Sequence, residues 1–395
     1  MAALPKGFRA AGVAAGLKKN NDLDLALIVS DADCAAAAVF TTNRVRAAPV
    51  VYDQRLIAER HPLRAVVINA GNANACTGVQ GIRDCEETAA LVAAELGCAP
   101  HAVFVMSTGV IGVPLPMAKL RAAIPHAARA LSPDGLESAA RAMMTTDTRP
   151  KLASGDLSAA AKSDPSARAA RIIGVAKGAG MIHPNMATML AVILTDAVVS
   201  QEVLASTLRR AVQRSFNRIS VDGDTSTNDT VLVLANGTSG LAPTSTEFEI
   251  MLTSVCMDLA QQIARDGEGA TKFVTLKVTG ARDEAMAEAV GRAVTRSPLV
   301  KTALYGEDPN WGRILAAAGA SGQDIDPNRL ALWIGDVQVC AEGAPMPYSE
   351  AEAAAALKSR EITIQLDLGL GEASATLWTC DLSHEYVTIN GRYRT

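Results

Sequence analysis

Apolar residues recur along the chain in short blocks of two spacings. Continuous or alternating runs of strand length occupy residues 23–30, 36–40, 65–68, 103–106, 171–176, 189–194 and 231–235. Later ones occupy residues 274–279, 330–339, 362–368, 374–379 and 386–389. Helical spacing marks residues 85–96, which stop at Gly97, and 117–131, interrupted near Pro125. It returns at 135–144, 200–216, 247–264 and 283–296; Ser200 followed by Glu202 makes the 200–216 segment a good helix start. Residues 152–170 are small, polar and weakly patterned, which predicts an exposed, mobile connection. Several strands near the C-terminus follow one another with no helix between them, so a purely doubly wound sheet does not fit. The pattern predicts an α+β fold with mixed sheets.

The segment from Gly174 to Leu190 organises the rest. Three glycines and a proline precede Ala187, then comes Thr188, then the apolar run 189–194. A hydroxyl entering a buried strand from a loop free to take unusual backbone angles can be held rigidly. Such a geometry lets Thr188 attack the carbonyl of Ala187, cut the chain and become a new N-terminus. The freed amine, of ordinary pKa roughly 7.7–8.0, can then act as base for its own hydroxyl. A glycine loop leading into a core strand accounts for the same stretch without chemistry.

Other polar stretches sit at strand ends. Residues 69–78 are dense in asparagine, glycine and alanine, a composition suited to tight turns or to close backbone approach to a ligand. Residues 107–114 place Thr108 and Gly109 after a strand, where a hydroxyl and a backbone N–H can face a developing oxyanion; from the local sequence alone a glycine turn with Thr108 solvated is the better reading. Residues 145–151 bring hydroxyls, an acid and two cations together. The run 217–229 holds three aspartates and four hydroxyl residues but lacks the spacing of a calcium loop, and reads as a hydrogen-bonded structural loop. Glu268 stands between two glycines, where backbone can approach closely.

Composition narrows the class. Of the 395 residues 49% are apolar but only 4% aromatic, so alanine, valine and leucine must supply the packing. A net charge of -4 without basic runs argues against nucleic acid and acidic lipid as partners. Seven scattered cysteines with no Cys-x-x-Cys pair predict free thiols rather than a disulfide framework. The five histidines lack metal-ligand spacing, so no metal is expected. No signal-peptide pattern and no apolar run of ~20 residues is present, which predicts a soluble, cytoplasmic protein acting on small molecules.

Taken together, residues 69–78, 107–112, 145–151, 177–190, 215–231, 266–273, 301–319 and 385–395 resemble the glutamate N-acetyltransferase (ornithine acetyltransferase) family of arginine biosynthesis. Eight ordered blocks span nearly the whole chain; the 152–170 connection is a few residues longer than the family pattern. The resemblance implies an N-terminal-nucleophile-like fold of mixed sheets sandwiched with helices. It implies autocleavage between Ala187 and Thr188 into an α chain (1–187) and a β chain (188–395), assembled as a heterotetramer of two of each. Thr188 carries over as nucleophile, and Thr108 with Gly109 as the oxyanion pair. Lys177, Thr188, Glu268, Asn390 and Thr395 carry over as substrate contacts, with one threonine of the pair Thr145 and Thr146. The implied reaction moves acetyl from N-acetylornithine to glutamate by a ping-pong route, with no metal and no bound cofactor. Members differ in whether acetyl-CoA also serves as co-substrate, and no residue here decides it. A self-processing aminopeptidase or amidohydrolase is the nearest alternative. A glycine-loop nucleotide binder lacks its Walker pattern.

Overall fold

The computed structural model of the chain describes residues 3–158, 169–183 and 189–393. The chain divides into two compact units. The first comprises residues 1–178, 184–217 and 225–263, and the second residues 179–183, 218–224 and 264–395.

Among the described residues the first unit carries one sheet of eight strands. In spatial order these are β4 (Val103–Val110), β3 (Leu63–Asn72), β2 (Leu25–Phe40), β9 (Thr230–Ala235), β7 (Leu190–Thr195), β6 (Ala169–Lys177) and β5 (Lys151–Ser158), with β1 (Phe8–Val13) also paired to β2. β3–β4 and β7–β9 run parallel and the other neighbours antiparallel, so the sheet is mixed as expected.

The 16-residue β2 holds the unit together. Its first half pairs with β3, from Leu25↔Asn69 to Val29↔Ala65, and its second half with β9, from Ala35↔Ala235 to Phe40↔Thr230. The expected two strands at 23–30 and 36–40 are therefore one. The polar run Ser30-Asp31-Ala32-Asp33 looks like a turn, but Asp31 and Asp33 simply face solvent, while the register shifts between Val29 and Cys34. Ile28, Val66, Ile68, Phe104 and Met106 pack in one core with Ile173, Val175, Val192, Leu194, Leu232 and Leu234 and with the helix Leu136–Met143. Helices Ala48–Glu59, Gly78–Leu96 and Met117–Arg129 pack a second core against Leu25, Leu27, Val67, Val103 and Val105. Each such aliphatic side chain contributes about 1.5–3 kcal/mol on burial, and their number offsets the scarcity of aromatics. The helix Met117–Arg129 runs through Pro125 without a break.

The second unit carries a mixed sheet of seven strands among the described residues: β13 (Ala344–Pro345), β12 (Val337–Ala341), β11 (Ala331–Ile334), β14 (Glu361–Asp367), β10 (Phe273–Ala281), β15 (Ala373–Cys380) and β8 (Ile219–Ser220). Val274, Leu276, Val278, Ile362, Ile364, Leu366 and Leu377 pack against Met286, Val290 and Val294 of the helix Glu284–Thr295 and against Val300, Leu304 and Ile314.

Three further expectations need correction. Residues 152–158 belong to β5, whose partner β6 pairs with it from Lys151↔Ala176 to Ser158↔Ala169, so the supposed connection is in part a hairpin; residues 159–168 lie outside the described residues. The predicted strand 330–339 is a hairpin turned at Gly335-Asp336, with Ile334 opposite Val337. Residues 386–389 are helical, inside His384–Gly391. Their β-branched and aromatic side chains favour a strand, but they belong to neither sheet among the described residues, and none of the helix is buried.

Among the described residues no helix is long and apolar enough to cross a membrane. The seven cysteines are all free.

Candidate active site

In the first unit, Thr108 and Gly109 lie near the end of β4 beside β3, with Ala70 opposite Thr108 and Gly71 opposite Gly109. Gly109 has φ +135°, and a Cβ there would fall 2.3 Å from the carbonyl carbon of Gly71 and 2.5 Å from Asn72 N. Only glycine fits. Buried amides fix both strand ends. Ser107 Oγ donates to Asn69 Oδ1 (2.6 Å), and Asn69 Nδ2 to the Asn72 carbonyl (2.8 Å). Asn228 Nδ2 donates to the carbonyls of Ala73 (2.6 Å) and Ser107 (2.8 Å). A hydroxyl and a backbone N–H set in so rigid a frame are what stabilisation of developing charge requires.

Lys177, at the end of β6, reaches this point. It is buried, and its Nζ donates to Thr108 Oγ1 at 3.3 Å. Around it lies Asp147, whose buried carboxylate accepts from Lys151 Nζ (2.6 Å), Gly178 N (2.6 Å) and Thr145 N (3.0 Å). Burial alone would raise this carboxyl. The charges of Lys177 and Lys151, with the hydrogen bonds from Lys151 and Gly178, outweigh burial and hold it down at about 2. Thr145 and Thr146 stand half-buried in the bend after the helix Leu136–Met143. Thr108, Gly109, Lys177 and the Thr145 backbone thus belong to one cluster.

The second unit holds another. Glu268 is buried, and its N–H donates to the Ala179 carbonyl (2.9 Å). Its carboxyl rests on Gly180, where a Cβ would lie 2.3 Å from Glu268 Cδ. Asn390 Nδ2 donates to Glu268 Oε2 (2.7 Å) and to the Tyr386 carbonyl (3.0 Å). Asp222 accepts from the N–H groups of Met181 (2.6 Å) and Ile182 (2.9 Å) and from the Tyr386 hydroxyl (3.3 Å); burial raises its carboxyl above the ordinary range. His183 Nδ1 lies 3.1 Å from Ser220 Oγ, and burial, then Arg292 and Arg296, lower its pKa to about 4. Residues 179–183 are therefore tied down at nearly every position. Ala187, Thr188 and Thr395 lie outside the described residues.

Among the described residues, no group of three or more histidine, cysteine or carboxylate side chains could hold a metal ion. The family model for ArgJ matches residues 9–395. The chain belongs to the ArgJ family. Among curated ArgJ relatives, the arginine biosynthesis bifunctional protein of Symbiobacterium thermophilum is 52% identical over 99% of this chain and 98% of its own length. That of Geobacter sulfurreducens is 49% identical over 99% of both. A crystal structure of the Bacillus halodurans arginine biosynthesis bifunctional protein matches with 42% identity and TM-score 0.51, covering 52% of this chain and 100% of the solved chain. The resemblance and the α+β fold read from the sequence are those of an ArgJ biosynthetic acetyltransferase.

Some residues around these two clusters escaped sequence reasoning. Asp147 was visible only as an acid among cations, and nothing local says that it takes the Gly178 N–H, 31 positions away. Asn228 lies in a run read as structural, and its two carbonyl partners, Ala73 and Ser107, are 155 and 121 positions away. Asp222 sits in the same run, and the three-aspartate composition was the one signal that could have marked it.

Proposed function

We propose that this ArgJ protein transfers acetyl from N-acetylornithine to glutamate through an acetyl ester on Thr188, after cutting its own chain between Ala187 and Thr188. Thr188 Oγ attacks the acetyl carbonyl, its own amine taking the proton. Thr108 and the Gly109 N–H hold the tetrahedral oxyanion, one such donor being worth about 3 kcal/mol. Ornithine leaves with a proton. Glutamate then attacks the ester and departs as N-acetylglutamate, restoring the hydroxyl; this is a ping-pong route. Lys177, Glu268, Asn390, Thr395 and a threonine of the 145–146 pair contact the substrates. No metal or bound cofactor takes part. The relatives are named bifunctional, and on that ground acetyl-CoA is proposed as a second donor.

The observation that carries this reading is the Thr108–Gly109 corner, where backbone crowding admits only glycine and Lys177 stands on the hydroxyl. One fact is compatible with cleavage into chains 1–187 and 188–395: β7 begins at Leu190 between β6 and β9, so both products of a cut at 187/188 would stay joined through the sheet. Two such pairs form the proposed heterotetramer, working in the cytoplasm. The test is incubation of the mature protein with N-acetylornithine and glutamate. N-acetylglutamate formed in step with ornithine supports transfer, whereas free acetate that ignores added glutamate would make the protein an amidohydrolase.

A further inference from the structure

We infer that Lys177 is a positioning residue for the Thr108 hydroxyl: its ammonium, donating to Thr108 Oγ1 at 3.3 Å, turns the hydroxyl proton towards the acyl oxygen. The inference rests on the acyl-transfer reading and adds to it. An ammonium group has donors and no acceptor, whereas a threonine hydroxyl has one proton and two lone pairs. Once a Lys177 hydrogen occupies one lone pair, the Thr108 proton must point elsewhere. The lysine also withdraws charge from Oγ1, which makes the hydroxyl a stronger donor. Without it the hydroxyl hydrogen samples several staggered positions, including the space where the ammonium stands, and only a fraction of molecules aim it productively.

The framework around Lys177 suits this role. Lys177 is the last residue of β6, its register fixed by Lys151↔Ala176 on one side and Lys177↔Leu190 on the other. Asp147 grips the next peptide, Gly178 N, at 2.6 Å, and Asp147 is itself fixed by Lys151. Thr108 is equally constrained, because Ser107 and Gly109 on either side of it are held by Asn228 and by the Gly71 backbone. At 3.3 Å the contact is long, and such bonds tighten when substrate fills a site.

A lysine that only binds a substrate carboxylate behaves differently, and a double-mutant cycle separates the two roles. Parent, Lys177→Met, Thr108→Ala and the double variant are compared as matured enzymes, using p-nitrophenyl acetate, a neutral acetyl ester that offers no carboxylate. Burst-phase acylation is expected to slow ~10-fold or more in Lys177→Met, within the ~10²–10³ that loss of an oxyanion donor costs. In the Thr108→Ala background the same substitution should cost less than ~2-fold, because the two changes remove one interaction. Lys177→Arg, which keeps the charge but moves the donors, should lose part of the rate with Thr108 present and none in the Thr108→Ala background; it serves as the cycle if the methionine variant does not mature. Equal losses in both backgrounds, or no loss with the neutral ester, would overturn the inference while leaving acyl transfer intact. If Thr108→Ala alone acylates at the parental rate, the oxyanion assignment itself fails, and this inference with it.

Discussion

The carboxyl group of Glu268 lies on the Cα of Gly180, so close that a methyl group there would come within 2.3 Å of Glu268 Cδ and 2.4 Å of its Oε2. The atom in the way is the end of a side chain rather than backbone, so Gly180→Ala should fold and displace the carboxylate. With Glu268 as a substrate contact, the variant is expected to raise KM by about 10-fold while the melting temperature moves little. Steady-state kinetics beside a thermal melt checks this; a normal KM would remove Glu268 from substrate binding.

Gly109 is the opposite case, since the neighbours of its missing Cβ are main-chain atoms of Gly71 and Asn72. Gly109→Ala must strain a φ of +135° and push strands apart, at a cost of about 3 kcal/mol. A lowered urea midpoint is expected, and an unchanged one would contradict the close approach of β3 and β4.

Asp147 gives a pH-dependent prediction. Its folded pKa of about 2 lies below the ordinary value of 3.8, so ionised Asp147 stabilises the fold at every pH above about 4. As pH falls towards 2 that contribution, about 2 kcal/mol, is lost. Asp147→Asn also takes away the carboxylate 2.6 Å from the buried Lys151 Nζ and should destabilise by about 3–5 kcal/mol at pH 7. Urea unfolding of parent and variant should show a gap that is constant from pH 7 to pH 5 and narrows below pH 4. A gap that widens in acid would mean that Asp147 is protonated in the fold.

Thr108→Ala should mature and bind substrate yet lose about 10²-fold in kcat, with Thr108→Ser recovering most of it. Retention of full rate by the alanine variant would reassign the oxyanion donor.

The sequence made most strands of the first unit legible because they are buried runs of valine, isoleucine and leucine bounded by glycine and asparagine, whereas β1 and β5, built largely of small and polar residues, did not stand out. It was less clear where polarity and direction part company. At Asp31 and Asp33 a polar pair looks like a turn, yet the strand continues with these carboxylates on its outer face, Asp31 paired to Arg9. Tyr386 to Ile389 carry strand-forming side chains but form an exposed helix, whose Asn390 ties Glu268. Thr108 and Glu268 could each be picked out as candidates, because glycines crowd around both. The family resemblance marked Lys177 and Asn390, but not which residue each of them meets. Lys177 meets Thr108 across 69 positions and Asn390 meets Glu268 across 122, and only the folded register of β6 and the final helix brings them together.

Whether Thr188 cuts the chain and then carries the acetyl group is read from the intact mass of the purified protein beside a Thr188→Ala variant. Two parental fragments, 1–187 and 188–395, are expected, the second gaining one acetyl mass on brief exposure to N-acetylornithine, with an uncut, unlabelled variant. An uncut parent, or a variant that still divides between Ala187 and position 188, would contradict this role of Thr188.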